Sequence, residues 1–128
     1  MRVMMMLLML FSGLSYATDL ECNKVQSSDQ VYLCSKQSME ASDKKLNQEY
    51  RELLKSVSVQ YSSHDQLKDE FIKKIKTSQR SWIDFRDKNC EVLSYQIDVG
   101  TQAYETSINL CKDKMTQERI KELGLILN

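Results

Sequence analysis

The sequence predicts an all-α fold: a small antiparallel helical bundle, with a short N-terminal helix and three longer ones, stapled by two disulfides. Three observations lead there. The 128-residue chain has no proline and three glycines, so it lacks the turn chemistry of an all-β fold and keeps helix breakers out of its interior. Leu67, Phe71, Ile75, Ser78, Trp82, Phe85, Asn89 and Leu93 recur at helical spacing, which places them on one face with Trp82 and Phe85 as its bulk. The four cysteines form an even set, as expected of a disulfide framework in an oxidising compartment.

The first 17 residues read as a separate object. Arg2 supplies a positive charge, Val3 to Leu14 is an apolar run, and Ser15-Tyr16-Ala17 places small residues where a signal peptidase reads. The run is well short of the roughly 20 apolar residues that span a bilayer, so cleavage after Ala17 is expected, leaving one helical domain over residues 18–128. Asp19-Leu20-Glu21 before Cys22 does not resemble a lipid-attachment site. After cleavage no membrane attachment is expected.

Charge narrows the classes of partner. The chain carries 18 basic and 18 acidic residues, and removing the leader takes away Arg2 alone. Such balance gives no footprint for nucleic acid or an anionic membrane surface.

Cys22, Cys34, Cys90 and Cys111 lack the close spacing of a structural zinc site, and there is no Cys-x-x-Cys, so neither a metal nor a redox centre is expected. Gly100 lies almost midway between Cys90 and Cys111. A helix, a turn at Val99 to Thr101 and an antiparallel return would set those two sulfurs level, leaving Cys22 to pair with Cys34. The crossed pairing, Cys34 with Cys90 and Cys22 with Cys111, is the alternative, because Cys34 and Cys90 are equidistant from a hairpin at Ser62.

Ser27-Ser28-Asp29-Gln30 fits a capping box before a short first helix at Val31 to Cys34. A second helix runs from about Ser38 to Val59 or Tyr61, with Met39, Leu46, Tyr50, Leu53, Leu54 and Val57 inward. Ser63-His64-Asp65-Gln66 fits a further capping box opening the third helix, which ends near Ile97. The fourth begins around Thr101, with Ala103, Tyr104, Ile108, Leu110 and Cys111 leading to Met115, and Gly124 ends it.

His64 is the sole histidine. It falls in the polar first turn of a helix, away from any nucleophile and carboxylate it would need as a catalytic base. With no glycine-rich phosphate loop and no Glu-x-x-His, neither an enzyme nor a cofactor is expected.

Taken in order, the residues resemble the LprI-like family of small exported bacterial proteins, named for lysozyme inhibition. The resemblance rests on Cys22 and Cys34, then Met39, Asp43, Leu46, Asn47 and Tyr50. It continues through Gln79-Arg80-x-Trp82-Ile83-x-Phe85-Arg86-Asp87-x-x-Cys90 and closes with Cys111 and Thr116-x-x-Arg119-x-x-x-Leu123. It implies a periplasmic or secreted binder of lysozyme. An envelope interaction or stress protein, or an immunity-type protein with a different partner, is the alternative.

The polar members of this motif read as structural, the alternative being that Arg86 and Arg119 face outward as a ligand site. Counting from turns at Ser62 and Gly100 sets Asp43, Trp82 and Arg119 at one height, so Arg119 is expected to stack on the indole and pair with Asp43, with Arg86 able to share that carboxylate. The protrusions available to a partner are the turns at Tyr61 to Asp65 and Asp98 to Gln102, which name Tyr61, His64, Asp98 and Gly100 as interface candidates.

Overall fold

The computed structural model describes residues 21–127; the leader expected at residues 1–17 lies outside them. Three helices follow in order: α1 over Ser28–Gln60, α2 over Asp65–Leu93 and α3 over Gln102–Gly124. Among the described residues all regular structure is helical.

The short helix expected separately at the N-terminus is the opening of α1. Ser35, Lys36 and Gln37 contain neither Gly nor Pro and give the backbone no reason to stop. The Ser35 hydroxyl donates back to the Tyr32 carbonyl at 2.7 Å rather than capping a new start. Ser27 caps α1, its hydroxyl accepting from the Gln30 amide at 3.3 Å, while the Gln30 side chain reaches the Gln26 amide at 2.6 Å.

The second capping box does not form. His64 stands at the N-cap of α2 without a side-chain bond to the helix, and Asp65 in the first turn complements the helix dipole and pairs with Lys68 instead. α2 also stops at Leu93, four residues before the expected end, where the Ser94 amide closes on the Cys90 carbonyl at 3.1 Å. Gly100 has φ +83°, a conformation open to glycine at little cost. Thr101 then caps α3 by accepting from the Tyr104 amide at 3.2 Å.

Cross-helix contacts define the topology. Residue numbers climb together from Asp29 with Gln102 to Ser35 with Asn109 and Ser42 with Asp113, so α3 runs parallel to α1. They run oppositely from Cys90 with Cys111 to Arg86 with Thr116 and Gln79 with Arg119, so α2 is antiparallel to α3. Asp43 with Arg86 and Tyr61 with Phe71 set α2 antiparallel to α1 as well. The antiparallel return of α3 along α2 is the expected one, and α1 is its more extensive neighbour.

Along its length the bundle divides into two zones. Toward the α1–α2 turn, Leu46, Leu53, Val57, Ile75 and Leu123 form the buried apolar core, with Tyr50, Tyr61, Phe71, Trp82, Ile120 and Leu127 packed on it. Toward the α2–α3 turn the buried groups are mostly polar: Ser35, Ser42, Arg86, Ser94, Asn109, Asp113 and Thr116. This second zone contains both bridges, Cys22–Cys34 and Cys90–Cys111.

The buried stripe of α2 is Ile75, Gln79, Arg86 and Cys90, a face rotated from the one the apolar periodicity marks. Trp82 lies at its edge, half-buried, whereas Phe85 is 58% exposed and Leu67 and Leu93 also stand outside. On α3 the inward residues are Ile108, Asn109, Asp113, Thr116 and Leu123, with Leu110 outside.

The Cys90–Cys111 bridge has a buried Cys90 and joins two helices, whereas Cys22–Cys34 ties an exposed lead-in segment to α1. Replacing Cys90 and Cys111 together by Ala is expected to cost about 3 kcal/mol in denaturant unfolding from loop entropy. The Cys22/Cys34 double variant should lose less. Equal losses would show that the lead-in segment is as integral to the fold as the α2–α3 hairpin.

Candidate functional site

The polar zone is organised around a guanidinium. Arg86 leaves α2 with its side chain 7% exposed and meets groups from all three helices. One terminal nitrogen donates to Asp43 Oδ1 on α1 at 2.6 Å and to Thr116 Oγ1 on α3 at 2.9 Å, and Nε donates to Asp87 Oδ1 at 2.9 Å. The guanidinium carbon lies 5.4 Å from the Trp82 ring centroid, within reach of a cation–π attraction. Lys112 adds a second cation to Asp87 at 3.3 Å. The Asp43 side chain is 38% exposed and reaches water as well as the arginine.

The partner expected for Asp43 was Arg119, and the structure corrects that choice. Arg119 does reach the indole, 5.7 Å from the ring centroid. Its polar bonds go to Gln79 Oε1 at 3.1 Å, Glu122 Oε2 at 2.8 Å and Ser78 Oγ at 3.3 Å. Both arginines therefore flank one indole, and the carboxylate goes to the arginine a turn further along α2. Register counting fixes the height of a residue along the bundle and leaves its direction around the helix open.

The remaining motif residues take different places. Leu46 and Leu123 are in the core, Tyr50 packs on it half-buried, and Gln79 and Thr116 are buried. Arg80 is exposed, on the outside of α2.

A second polar cluster joins α1 to α3, and the sequence reading missed it. Asp113 is buried and accepts from the Ser38 hydroxyl at 2.8 Å, from the Ser42 hydroxyl, and from the Gln117 amide at 3.0 Å. Burial pushes the carboxyl upward, but the bonds from Ser42, Gln117 and Ser38 outweigh it and hold the group below the ordinary Asp value. Ser35, Ser38 and Ser42 recur at helical spacing on one face of α1. That periodicity was available in the sequence, hidden because serine does not count as a core residue. Among the described residues no buried side-chain polar atom lacks a partner, and no three His, Cys, Asp or Glu side chains could hold a metal ion.

The bundle ends offer the surface that internal pairing leaves available. At the α1–α2 end, Tyr61 is half-buried, its ring edge-on to Phe71 at 5.7 Å between centroids. It belongs to the packing, and His64 is the exposed candidate there. At the other end, Asp98 and Gly100 are exposed in a turn that also presents Tyr95 at 87% and Val99 at 81% exposure. Val99 falls in the Asp98 to Gln102 turn that the sequence marks as a protrusion, whereas Tyr95 was missed, because an aromatic residue carries no mark of its exposure.

That turn is held from several sides. The Asp98 carbonyl accepts from both the Thr101 amide at 3.2 Å and the Thr101 hydroxyl at 2.7 Å. Ser94 and Ser107 share a hydroxyl bond at 2.8 Å, and the Cys90–Cys111 bridge closes the base. Between Lys88 and Lys112 the chain has no Lys or Arg, while Glu91, Asp98 and Glu105 fall inside that stretch.

The residues build a three-helix bundle with paired arginines inside, two disulfides and a braced turn at one end. Two disulfides also point to an oxidising compartment, and among the described residues no helix is long and apolar enough to cross a membrane. The family described as lysozyme inhibitor LprI matches residues 22–123, and the chain belongs to that family. An uncharacterised protein of Rhizobium meliloti (strain 1021) is 26% identical over 106 residues, covering 80% of this chain and 76% of that one. The fold is that of a DUF1311 family protein from Pseudomonas putida KT2440, whose crystal structure matches with a TM-score of 0.68 at 23% identity, covering 78% of this chain and 93% of that one.

A double-mutant cycle tests the Asp43–Arg86 contact. Arg86→Gln is expected to cost about 2–4 kcal/mol and Asp43→Asn about 1–3, because each leaves a charge short of its partner. The double variant should fall short of their sum by about 1 kcal/mol or more. Additive losses in urea unfolding would show that the two side chains act independently.

Proposed function

We propose that this protein is an exported, non-enzymatic inhibitor that binds lysozyme. The observation that carries the reading is the family match across residues 22–123, which takes in nearly the whole helical body rather than one shared motif. In this reading residues 1–17 direct export and are removed after Ala17, and the bridges form in the periplasm or outside the cell.

The geometry supports a binder. Arg86 and Arg119 are engaged within the bundle, and Asp113 is enclosed by three donors. These groups hold the helices in place, leaving the surface to meet a partner. A body fixed by disulfides and buried ion pairs loses little freedom on association, which favours affinity.

Chain beginning at residue 18, with both disulfides intact, is expected to slow the clearing of a cell-wall suspension by lysozyme in proportion to its concentration. Trp82→Ala should lose inhibition and stability together, by about 3 kcal/mol, since the indole packs against the core and meets both guanidinium groups. Undiminished clearing at large molar excess of folded protein, checked by circular dichroism, would overturn the proposal.

A further inference from the structure

The α2–α3 end carries an apolar tip with an acidic rim. Val92, Leu93, Tyr95 and Val99 all lie within eight residues of chain and are 70%, 69%, 87% and 81% exposed. Phe85 stands two turns before Val92 on the same side of α2 and is also exposed. A soluble domain does not gather large apolar side chains at one end without consequence, since such patches are where partners dock. On this stretch Glu91, Asp98 and Glu105 are all exposed, with no Lys or Arg from position 89 to 111; the start of α1 adds Asp29, bonded to Gln102 at 2.9 Å, with Lys24 in the lead-in before it. The flanking Lys88 is occupied by Asp84 at 2.9 Å.

The tip is also preorganised. Its backbone is fixed by Gly100 at φ +83°, by the two bonds from Thr101 to the Asp98 carbonyl and by the Ile97 amide on the Ser94 carbonyl at 3.0 Å. Behind it the Ser94–Ser107 bond and the Cys90–Cys111 bridge keep α2 and α3 from parting. An exposed tyrosine on such a base presents a large amphipathic ring at small entropic cost, the character of an interface anchor.

We infer that this tip is the docking surface and that its occupant is the substrate cleft of a basic protein. The inference rests on the lysozyme-binding reading and assigns the surface within it. Charge complementarity selects the partner: Glu91, Asp98 and Glu105 meet a basic rim and steer the encounter. A glycosidase cleft holds paired carboxylates, so the group that enters must not be anionic. Tyr95 and Val99 meet that requirement, and Asp98 stays at the rim. The opposite end also exposes apolar side chains, Val59 and Leu125 at 69% and Leu67 at 54%, but its Tyr61 is half-buried against Phe71 and Lys68 stands beside Asp65 there; the exposed tyrosine and the stretch free of Lys and Arg distinguish the α2–α3 end.

The test compares four chains beginning at residue 18, with lysozyme as the probe: unmodified, Tyr95→Ser/Val99→Ser, Asp98→Lys, and His64→Ser at the far end. All substituted side chains are exposed, and unchanged melting temperatures confirm intact folds. The Tyr95/Val99 variant should bind and inhibit about tenfold or more weakly. Asp98→Lys should slow association, more at low than at high ionic strength. His64→Ser should match the unmodified chain. If the unmodified chain inhibits and the Tyr95/Val99 variant inhibits equally well, the tip is overturned while the function stands. Loss on His64→Ser alone would move the site to the other end. No inhibition by the unmodified chain would overturn the function and the tip with it.

Discussion

Arg86 is the group on which the arrangement of three helices depends. A buried guanidinium demands donors' worth of acceptors, and this one finds Asp43 on α1, Asp87 on its own helix and Thr116 on α3, with the Trp82 ring alongside. Removing any one helix would leave the charge in a low-dielectric interior with too few partners. The planar, multiply donating form of arginine suits it to that junction, where an ammonium on a flexible stem does not. α2 is set against both neighbours at this height by a directional contact rather than by apolar area alone.

The same contact marks the boundary between two kinds of interior. On one side lies an apolar core with Leu46, Leu53, Val57, Ile75 and Leu123, stabilised by area removed from water. On the other, α1 and α3 are joined by serines, Asn109 and Asp113, which satisfy one another but contribute modest net free energy each. The two disulfides fall in this second zone, where the chain has least apolar area to rely on. Their placement leaves the α2–α3 turn on a stiff base although the interior beneath it is polar.

Much of the fold was legible in the sequence because helices are signalled by what they lack. Absence of proline, the cap at Ser27 and glycine at position 100 gave the three long helices and their order, and the spacing of Cys90 and Cys111 about Gly100 gave the pairing now seen. The facing of α2 was not legible. Periodicity counts Phe85 as inward, but the interior at that height is polar, so the phenylalanine turns out and Arg86, expected only to share the Asp43 carboxylate, turns in and holds it. The serine ladder of α1 escaped for the same reason. Tyr95 could not be recognised as projecting, although the lack of any basic residue between Lys88 and Lys112 was there to be read.

The central claim is that the fork of Arg86, and not its charge alone, holds the helices in register. Arg86→Lys isolates that point, since the charge is kept while the planar set of donors is lost. Measured by urea unfolding at neutral pH, this variant should be less stable by about 2 kcal/mol or more, as one ammonium cannot serve Asp43, Asp87 and Thr116 together. Stability within about 0.5 kcal/mol of the unmodified chain would contradict the account, showing that a positive charge at this position is enough.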